Sequence, residues 1–475
     1  SDYTSVTEMI NHGMGDTAAV SALSLNAGLD MDMVSEGFLN TLQKSLQTGK
    51  VSMASIDAAC KRILEAKYDL GLFEDPFKYC KQERASEVLS ADKRAFAKEA
   101  AMRSFVLLKN DNQVLPLKSN QKIALIGPLA NDRSNMPGTW SINADAKQAI
   151  SVLEGLNNRP GIGSKILYAK GANISDDPVF AAKINVFGEK ISIDTRSSQE
   201  LLAEALTVAA ASDIIVAVVG EASEMSGEAA SRTSLDIPTS QQKLIEALSK
   251  TGKPLVLVLM NGRPLTIANE LKSATAVLDV WHAGTESGNA VAAVLYGDYN
   301  PAGKLTMSFP RNVGQIPIYY SVRNTGRPNG GDVFGKYKSN YLDVENSPLL
   351  PFGYGLSYTT FSYGKPVLSA PTLTAAKAII ASVTLTNSGN YDGEEVVQLY
   401  IKDDVASITR PLKELKGFQK VFLKKGETKT VTFTIDENLL RFYNADLKHT
   451  SEKGSFQLYI GSNAAVENGV SFQLK

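Results

Sequence analysis

The sequence predicts a multidomain chain in three parts: the tail of an α/β unit, an α/β domain on a mostly parallel sheet covered on both faces, and an all-β sandwich. Three observations carry this. The chain has 475 residues, whereas single hydrophobic cores stop growing at roughly 250 to 300 residues. Through its middle, continuous apolar runs such as IIVAVVG and LVLVLMNG alternate with amphipathic stretches, the pattern of buried parallel strands and their crossover helices. Its last part alternates apolar and polar residues between turns, as the half-buried strands of a sandwich do.

Residues 1–73 read as helix, strand, helix, helix. DTAAVSALSLNAG is the first helix and LDMDM the strand. In the two following helices Leu39, Leu42 and Leu46, then Ile56, Cys60, Ile63, Leu64 and Tyr68, recur mostly at steps of three and four, which is amphipathic helix spacing. Gly28 and Gly49 stand where helix stops belong. One or two strands cannot complete a parallel sheet or barrel, so this part reads as the end of a domain that begins earlier. Residues 74–89, EDPFKYCKQERASEVL, are charged, contain Pro76 and show no period; they read as an interdomain linker.

Residues 90–310 form the α/β domain. It opens with a helix spanning DKRAFAKEAAMRSFVLLKN. Strands are expected at 123–126, 166–169, 214–219, 255–260 and 276–280, and helices at 198–211, 240–250 and 288–295. From Pro301 the pattern gives way to Pro, Gly, Asn and Tyr, and residues 311–361, ending in PFGYGLSYTTF, read as an ordered, turn-rich linker. Residues 362–475 are the sandwich, with clean alternation at Val383 and Leu385 and at Val397, Leu399 and Ile401. Phe418, Phe422, Phe433 and Tyr459 fall within its strands and are expected in its core, so no aromatic ligand platform is assigned there.

The composition is that of an ordinary soluble globular protein, with 43% hydrophobic and 21% charged residues and 49 Lys+Arg against 50 Asp+Glu. Nothing in it points to nucleic acid or a membrane surface as partner, and the apolar runs fall short of the ~20 residues of a membrane helix. The first residues, SDYTSVTEM, show no secretory signal. Cys60 and Cys80 are the two cysteines, as a disulfide or as two thiols.

No metal and no cofactor is expected. His12, His282 and His449 are far apart and form no ligand motif. GMGDTA at 13–18 matches a dinucleotide fingerprint formally, but no strand precedes it to aim a helix N-terminus at a pyrophosphate. Carboxylates carry more information. GEASEMSGEAASR, residues 220–232, follows directly on a buried strand and places Glu221, Glu224 and Glu228 in a loop of small residues, at the strand end where open α/β sheets bind ligands. A solvated acidic loop is an equally good reading of these residues alone. Asp2, taken alone, is a surface carboxylate near a terminus. Trp140, in MPGTWSINAD, is either a packing anchor or a ring on which a sugar stacks.

In combination these segments have a family resemblance. SDY, HGMGDTAAVSALSLNAGLDMDM, KRILEAKYDLGLF, FVLLKNDNQVLPL, TGKPLVLVLMNGRPL, GDYNPAGKLTMSFPRNVGQIPIYY and PFGYGLSYTTF, in this order, resemble glycoside hydrolase family 3 and most closely its periplasmic β-glucosidases of Gram-negative bacteria. The resemblance implies the end of a (β/α)8 barrel, an α/β sandwich domain and a fibronectin type III-like domain. It implies a retaining exo-β-glucosidase acting on terminal β-D-glucosyl residues of glycosides or oligosaccharides, located in the periplasm or secreted. Asp2 takes the place of the nucleophile and Glu228 that of the acid/base, with Glu224 second. Tyr3, where a Trp is commoner, and Trp140 take substrate-binding places. Burial and the neighbouring Asp2 carboxylate are expected to hold Glu228 protonated. The family residues that bind the cleaved sugar map upstream of Ser1, so this chain alone is expected to hydrolyse aryl β-glucosides far more slowly than a form extended upstream. A β-xylosidase and a non-catalytic carbohydrate-binding fragment are the alternatives, and the oligomeric state, monomer or homodimer, is open.

Overall fold

A computed structural model describes residues 1–328 and 332–475. The chain divides into two compact units, Ser1–Ser90 and Ala91–Lys475.

The first unit holds helices α1 (Ser5–Glu8), α2 (Thr17–Asn26), α3 (Gly37–Gln47) and α4 (Met53–Asp69). Helix α2 starts where the Asp16 carboxylate, within the GMGDTA segment, accepts from the Ala19 amide at 2.8 Å as an N-cap. Gly28 and Gly49 follow α2 and α3 with φ of 95° and 70°, as helix stops do. Ala22, Leu25, Val51 and Ala59 form a small core onto which Phe38, Leu42, Leu46 and Ile56 pack; Leu39, Leu64 and Tyr68 are exposed. The strand expected at LDMDM does not form. Residues 29–33 have no ladder; their backbone meets the N-terminus instead, through Thr4 N to Met33 O (3.0 Å) and the Ser1 amino group to Met31 O (2.9 Å). A strand exists only where a neighbour takes its backbone hydrogen bonds in register. Cys60 and Cys80 are exposed free thiols. Residues 74–88 are exposed and include one 3-10 turn, Gln82–Glu87.

The second unit opens with α5 (Ala91–Ser104). The helix expected through FVLLKN stops there, and Val106–Asn110 is strand β1, paired antiparallel with β6 (Ala276–Asp279). The apolar run decides this: Leu107 enters the core on one face of the sheet and Val106 and Leu108 that on the other, which needs the two-residue period of a strand. The other strands are β2 (Ile123–Ile126), β3 (Ile166–Ala169), β4 (Ile214–Gly220) and β5 (Leu255–Met260), all parallel, in the order β1-β6-β5-β4-β2-β3. In β4, Ile214, Val216 and Val218 face one core and Ile215, Ala217 and Val219 the other. Helices α5, α6 (Val152–Asn157), α7 (Pro178–Ile184) and α11 (Ser287–Leu295) supply the first core; α8 (Ser198–Ala210), α9 (Thr239–Ser249) and α10 (Ala268–Ser273) flank the second. The turn-rich stretch after Pro301 packs into this second core through Leu305, Phe309 and Leu350, and Leu356 bridges to Leu107.

The C-terminal part is a sandwich. One sheet contains β7 (Phe361–Tyr363), β8 (Val367–Leu368), β10 (Ile379–Asn387) and β13 (Thr428–Ile435); the other contains β9 (Thr372–Leu373), β11 (Gly393–Asp403), β12 (Glu414–Leu423), β16 (Gly454–Gly461) and β17 (Gly469–Leu474). A short ribbon pairs β14 (Phe442–Tyr443) with β15 (His449–Thr450). Phe433 is buried as expected, but Phe418 and Phe422 are exposed. Register explains it: on β12, Val421 and Leu423 turn to the core, so positions 418 and 422 face outward. The sandwich is joined to the α/β layers by Lys304, whose ammonium meets the buried Glu395 carboxylate at 3.1 Å while Tyr363 donates to the same carboxylate at 2.9 Å.

Candidate active site

Strands β2 and β4 are neighbours in the sheet but not in the chain, because β3 lies on the far side of β2. Crossovers leave these two strands in opposite directions, and such a switch point opens a crevice at the carboxyl ends. Two loops start there. One follows β2 and carries Trp140; the other follows β4 and carries Glu221, Glu224 and Glu228. Both start on a glycine that only a residue without Cβ tolerates: Gly127 and Gly220 have φ of 124° and 133°, and a Cβ on either would strike the carbonyl of Val218 or of Met260 on the adjacent strand.

The two loops are tied together. The amide oxygen of the buried Asn135 accepts from Ser223 N at 2.8 Å, and its NH2 donates to Asp132 Oδ2 (2.6 Å) and Lys190 O (2.8 Å). The Thr139 hydroxyl donates to the carbonyl of Ser226, 2.7 Å away, or to that of Ser223. Gly227, with φ of 108°, packs so closely that a Cβ would lie 2.7 Å from the Thr139 methyl. Behind them the half-buried His282 ring sets its Nδ1 3.1 Å from Asn135 O. A carbonyl only accepts, so Nδ1 carries the proton and Nε2 is a bare acceptor with no hydrogen-bond partner among the described residues. Burial lowers the His282 pKa to about 4, keeping it neutral.

The three glutamates have different fates. Glu221 is fully buried. Its carboxylate takes Arg232 Nη1 at 2.7 Å, Arg263 Nε at 3.4 Å and Gly262 N at 3.2 Å. Burial pushes this carboxyl upward, and the two guanidinium groups pull it back. All its contacts are structural. Glu224 is half-buried on a 3-10 turn. Glu228 stands at the loop apex between Gly227 and Ala229, whose φ is 53°, and is exposed. The burial expected for Glu228 is not found: it stands exposed on a turn with positive-φ residues on both sides. Trp140 is 74% exposed. The structure thus brings the Trp140 loop and the Glu228 loop side by side.

Asp2 and Tyr3 belong to the first unit. Both are exposed. Asp2 Oδ1 accepts from Tyr3 N at 2.7 Å, and the Asp2 carbonyl accepts from the Ser5 hydroxyl at 3.2 Å, so the carboxylate is oriented by its own turn just before α1. Sequence reasoning missed Asn135, Thr139, Arg232, Arg263 and His282. Arg232 ends the same GEASEMSGEAASR segment and Arg263 lies in NGRPL directly after β5; their position at strand ends was the available signal. A hollow of about 420 Å³ lies at the ends of β2 and β3, lined by Asp132, Arg133, Tyr168, Lys170 and Lys190. It contains neither Trp140 nor Glu228, and its cations are engaged: Arg133 by Glu154, Lys170 by Asp194 and Lys190 by Ser134 O.

Residues 105–358, over half of the chain, match the glycosyl hydrolase family 3 C-terminal domain. The chain belongs to glycosyl hydrolase family 3. Residues 1–66 match the family's N-terminal domain, and residues 395–464 a fibronectin type III-like domain. Among its relatives is a periplasmic β-glucosidase of Salmonella typhimurium, 48% identical over the whole of this chain and 63% of the relative. A β-xylosidase of Formosa agariphila is 40% identical over 94% of this chain and 60% of its own length. The solved β-glucosidase from Listeria innocua in complex with isofagomine superposes with a TM-score of 0.91 at 35% identity, over 100% of this chain and 63% of that one. The family 3 chain described here thus spans 60–63% of the length of these relatives.

Proposed function

We propose that this chain carries the two catalytic carboxylates of a retaining exo-β-glucosidase, Asp2 as nucleophile and Glu228 as acid/base. The observation that carries the reading is the presentation of Glu228: of the three loop glutamates, Glu221 is occupied by two arginines, while Glu228 projects beside the Trp140 loop at the switch point of the sheet. The likeness to family 3 β-glucosidases supports it.

The chemistry is double displacement. An Asp2 carboxylate oxygen attacks the anomeric carbon; the glycosidic C–O bond breaks and its electron pair goes to the leaving oxygen, which takes the proton of Glu228. Water then attacks the glycosyl–Asp2 ester, giving its proton to the Glu228 carboxylate and releasing Asp2 with net retention. This requires the two carboxyl groups about 5 to 5.5 Å apart. Glu228 is exposed in the chain, and a bound substrate would exclude water from its carboxyl. Trp140 offers a flat apolar face to the leaving group, and Tyr3 stands beside the nucleophile.

The test uses whichever form turns over aryl β-glucosides, this chain or one extended upstream of Ser1. Asp2→Asn is expected to remove turnover, and Glu228→Ala to lower it about 10²- to 10⁴-fold for leaving groups that need a proton. Azide should rescue Glu228→Ala by forming β-glucosyl azide. Retained activity in either variant, or rescue of Glu224→Ala instead, overturns the assignment. A β-xylosidase is the second reading, favoured by the 40% identical relative of that name; the ratio of kcat/KM on p-nitrophenyl β-glucoside and β-xyloside decides between them. The periplasmic relative supports a periplasmic location, and light scattering decides between monomer and homodimer.

A further inference from the structure

Beneath the loop of residues 220–232, one side chain touches both shoulders of the Glu228 turn. Arg263 enters from the loop after β5 and donates from Nη2 to Met225 O at 2.5 Å and to Ala230 O at 2.7 Å. Those carbonyls lie on either side of the Gly227–Ala229 apex. Its Nε faces Glu221 Oε1 at 3.4 Å, and Arg232, at the far end of the loop, holds the same oxygen at 2.7 Å. The next layer is equally tight. Gly262 N donates to Glu221 Oε2 at 3.2 Å, the Asn261 side chain donates to Arg263 O at 2.8 Å, and a Cβ on Gly262 would collide with the Ser226 side chain. The start of the loop, both shoulders and its end therefore converge on one guanidinium–carboxylate pair. One guanidinium nitrogen holds both carbonyls while the charge of the planar group faces the carboxylate; a lysine ammonium cannot reproduce that geometry.

We propose that Arg263 is the positioning residue of Glu228, with Glu221 as its anchor. The proposal rests on Glu228 being the acid/base. Arg263 reaches the backbone on both sides of the apex without being assigned any contact with substrate, so it sets where the Glu228 carboxyl sits while the proton moves on Glu228 alone. Losing it leaves the nucleophile untouched and misplaces the acid, and small displacements of a proton donor carry large rate penalties.

The test separates leaving groups. In the active form defined above, kcat/KM reports the first, glycosylating step. Arg263→Met is expected to lower kcat/KM about 10²-fold for an alkyl or p-nitrophenyl β-glucoside, whose leaving oxygen needs the proton. It should change that for 2,4-dinitrophenyl β-glucoside, which departs without one, by no more than about threefold. Arg263→Lys and Glu221→Gln should show the same pattern to a smaller degree, and they report if Arg263→Met does not fold. Equal loss on both substrates, or no loss on either, in these variants overturns the proposal. Failure of the underlying reading looks different: Glu228→Ala itself would then show no dependence on the leaving group.

Discussion

The Thr139 hydroxyl lies 2.7 Å from the main-chain carbonyl of Ser226, so the residue before Trp140 is tied to the backbone two positions before Glu228. The relationship joins loops from two strands of one sheet, and it fixes the proposed leaving-group platform relative to the proposed acid. Replacing Thr139 with Val keeps the shape and removes the donor, leaving the carbonyls of Ser223 and Ser226 to compete for nothing. The expected cost is about 1–3 kcal/mol, read as a lower urea midpoint, together with a raised KM for aryl glucosides in the active form. An unchanged midpoint would mean the hydroxyl contributes no net hydrogen bond.

Trp140 is exposed, so its removal is expected to leave stability within about 0.5 kcal/mol of the parent. If its ring stacks on the leaving group, Trp140→Ala raises KM more than it lowers kcat, and Trp140→Phe recovers part of the loss. A large drop in thermal midpoint would instead assign Trp140 to packing.

Lys304 and Glu395 form a nearly buried pair, with side chains 10% and 5% exposed. Burial pushes the Glu395 carboxyl upward, and Lys304 and Tyr363 oppose that. Lys304→Met leaves the carboxyl without its cation, at an expected cost of about 3–5 kcal/mol. Adding Glu395→Gln should restore much of it, since the unpaired charge goes with it. Urea denaturation of the two variants gives the comparison; equal losses would show that the ammonium, not the stranded carboxylate, is what matters.

His282 gives a pH dependence. Its folded pKa is about 4, against an ordinary value of 6.5. Between those values the unfolded chain binds more protons than the folded one, so stability falls as the pH falls from about 6.5 to about 4 and is flat in this respect above 6.5. The expected loss through this one group is about 3 kcal/mol. Other groups titrate in the same range, so the readout is a difference: His282→Gln should show a shallower decline in midpoint between pH 6.5 and 4 than the parent. Parallel declines would place the imidazole's protonation outside the folding equilibrium.

Gly155 and Gly288 let helices α6 and α11 meet backbone to backbone. A Cβ on Gly155 would strike Gly288 O, and one on Gly288 would strike Ser151 O. Gly288→Ala is expected to destabilise by about 3 kcal/mol through overpacking, measured by thermal unfolding. A loss under about 0.5 kcal/mol would show that the helices separate at little cost.

The amino-acid sequence determined the elements whose signal is local. Parallel strands such as β4 and β5 read as continuous apolar runs, and helices α3 and α9 as periodic ones, because burial on one or two faces stamps its period on consecutive residues. The same local reading extended α5 through Val106–Asn110, since an apolar run after a helix cannot show whether its partner is a turn of helix or the antiparallel edge of β6. It made a strand of residues 29–33, which form no ladder with any described residue, and put Phe418 and Phe422 inside a sheet whose register turns them out. Within GEASEMSGEAASR the residues supplied three carboxylates in one loop, and family resemblance alone favoured Glu228. Only the tertiary structure separated them. Arg263 arrives from a different strand to neutralise Glu221 and hold the shoulders of the loop. Glu221 is paired by Arg232 from the end of its own segment and by Arg263 from after β5, and electrostatic pairing across space leaves no periodicity to read.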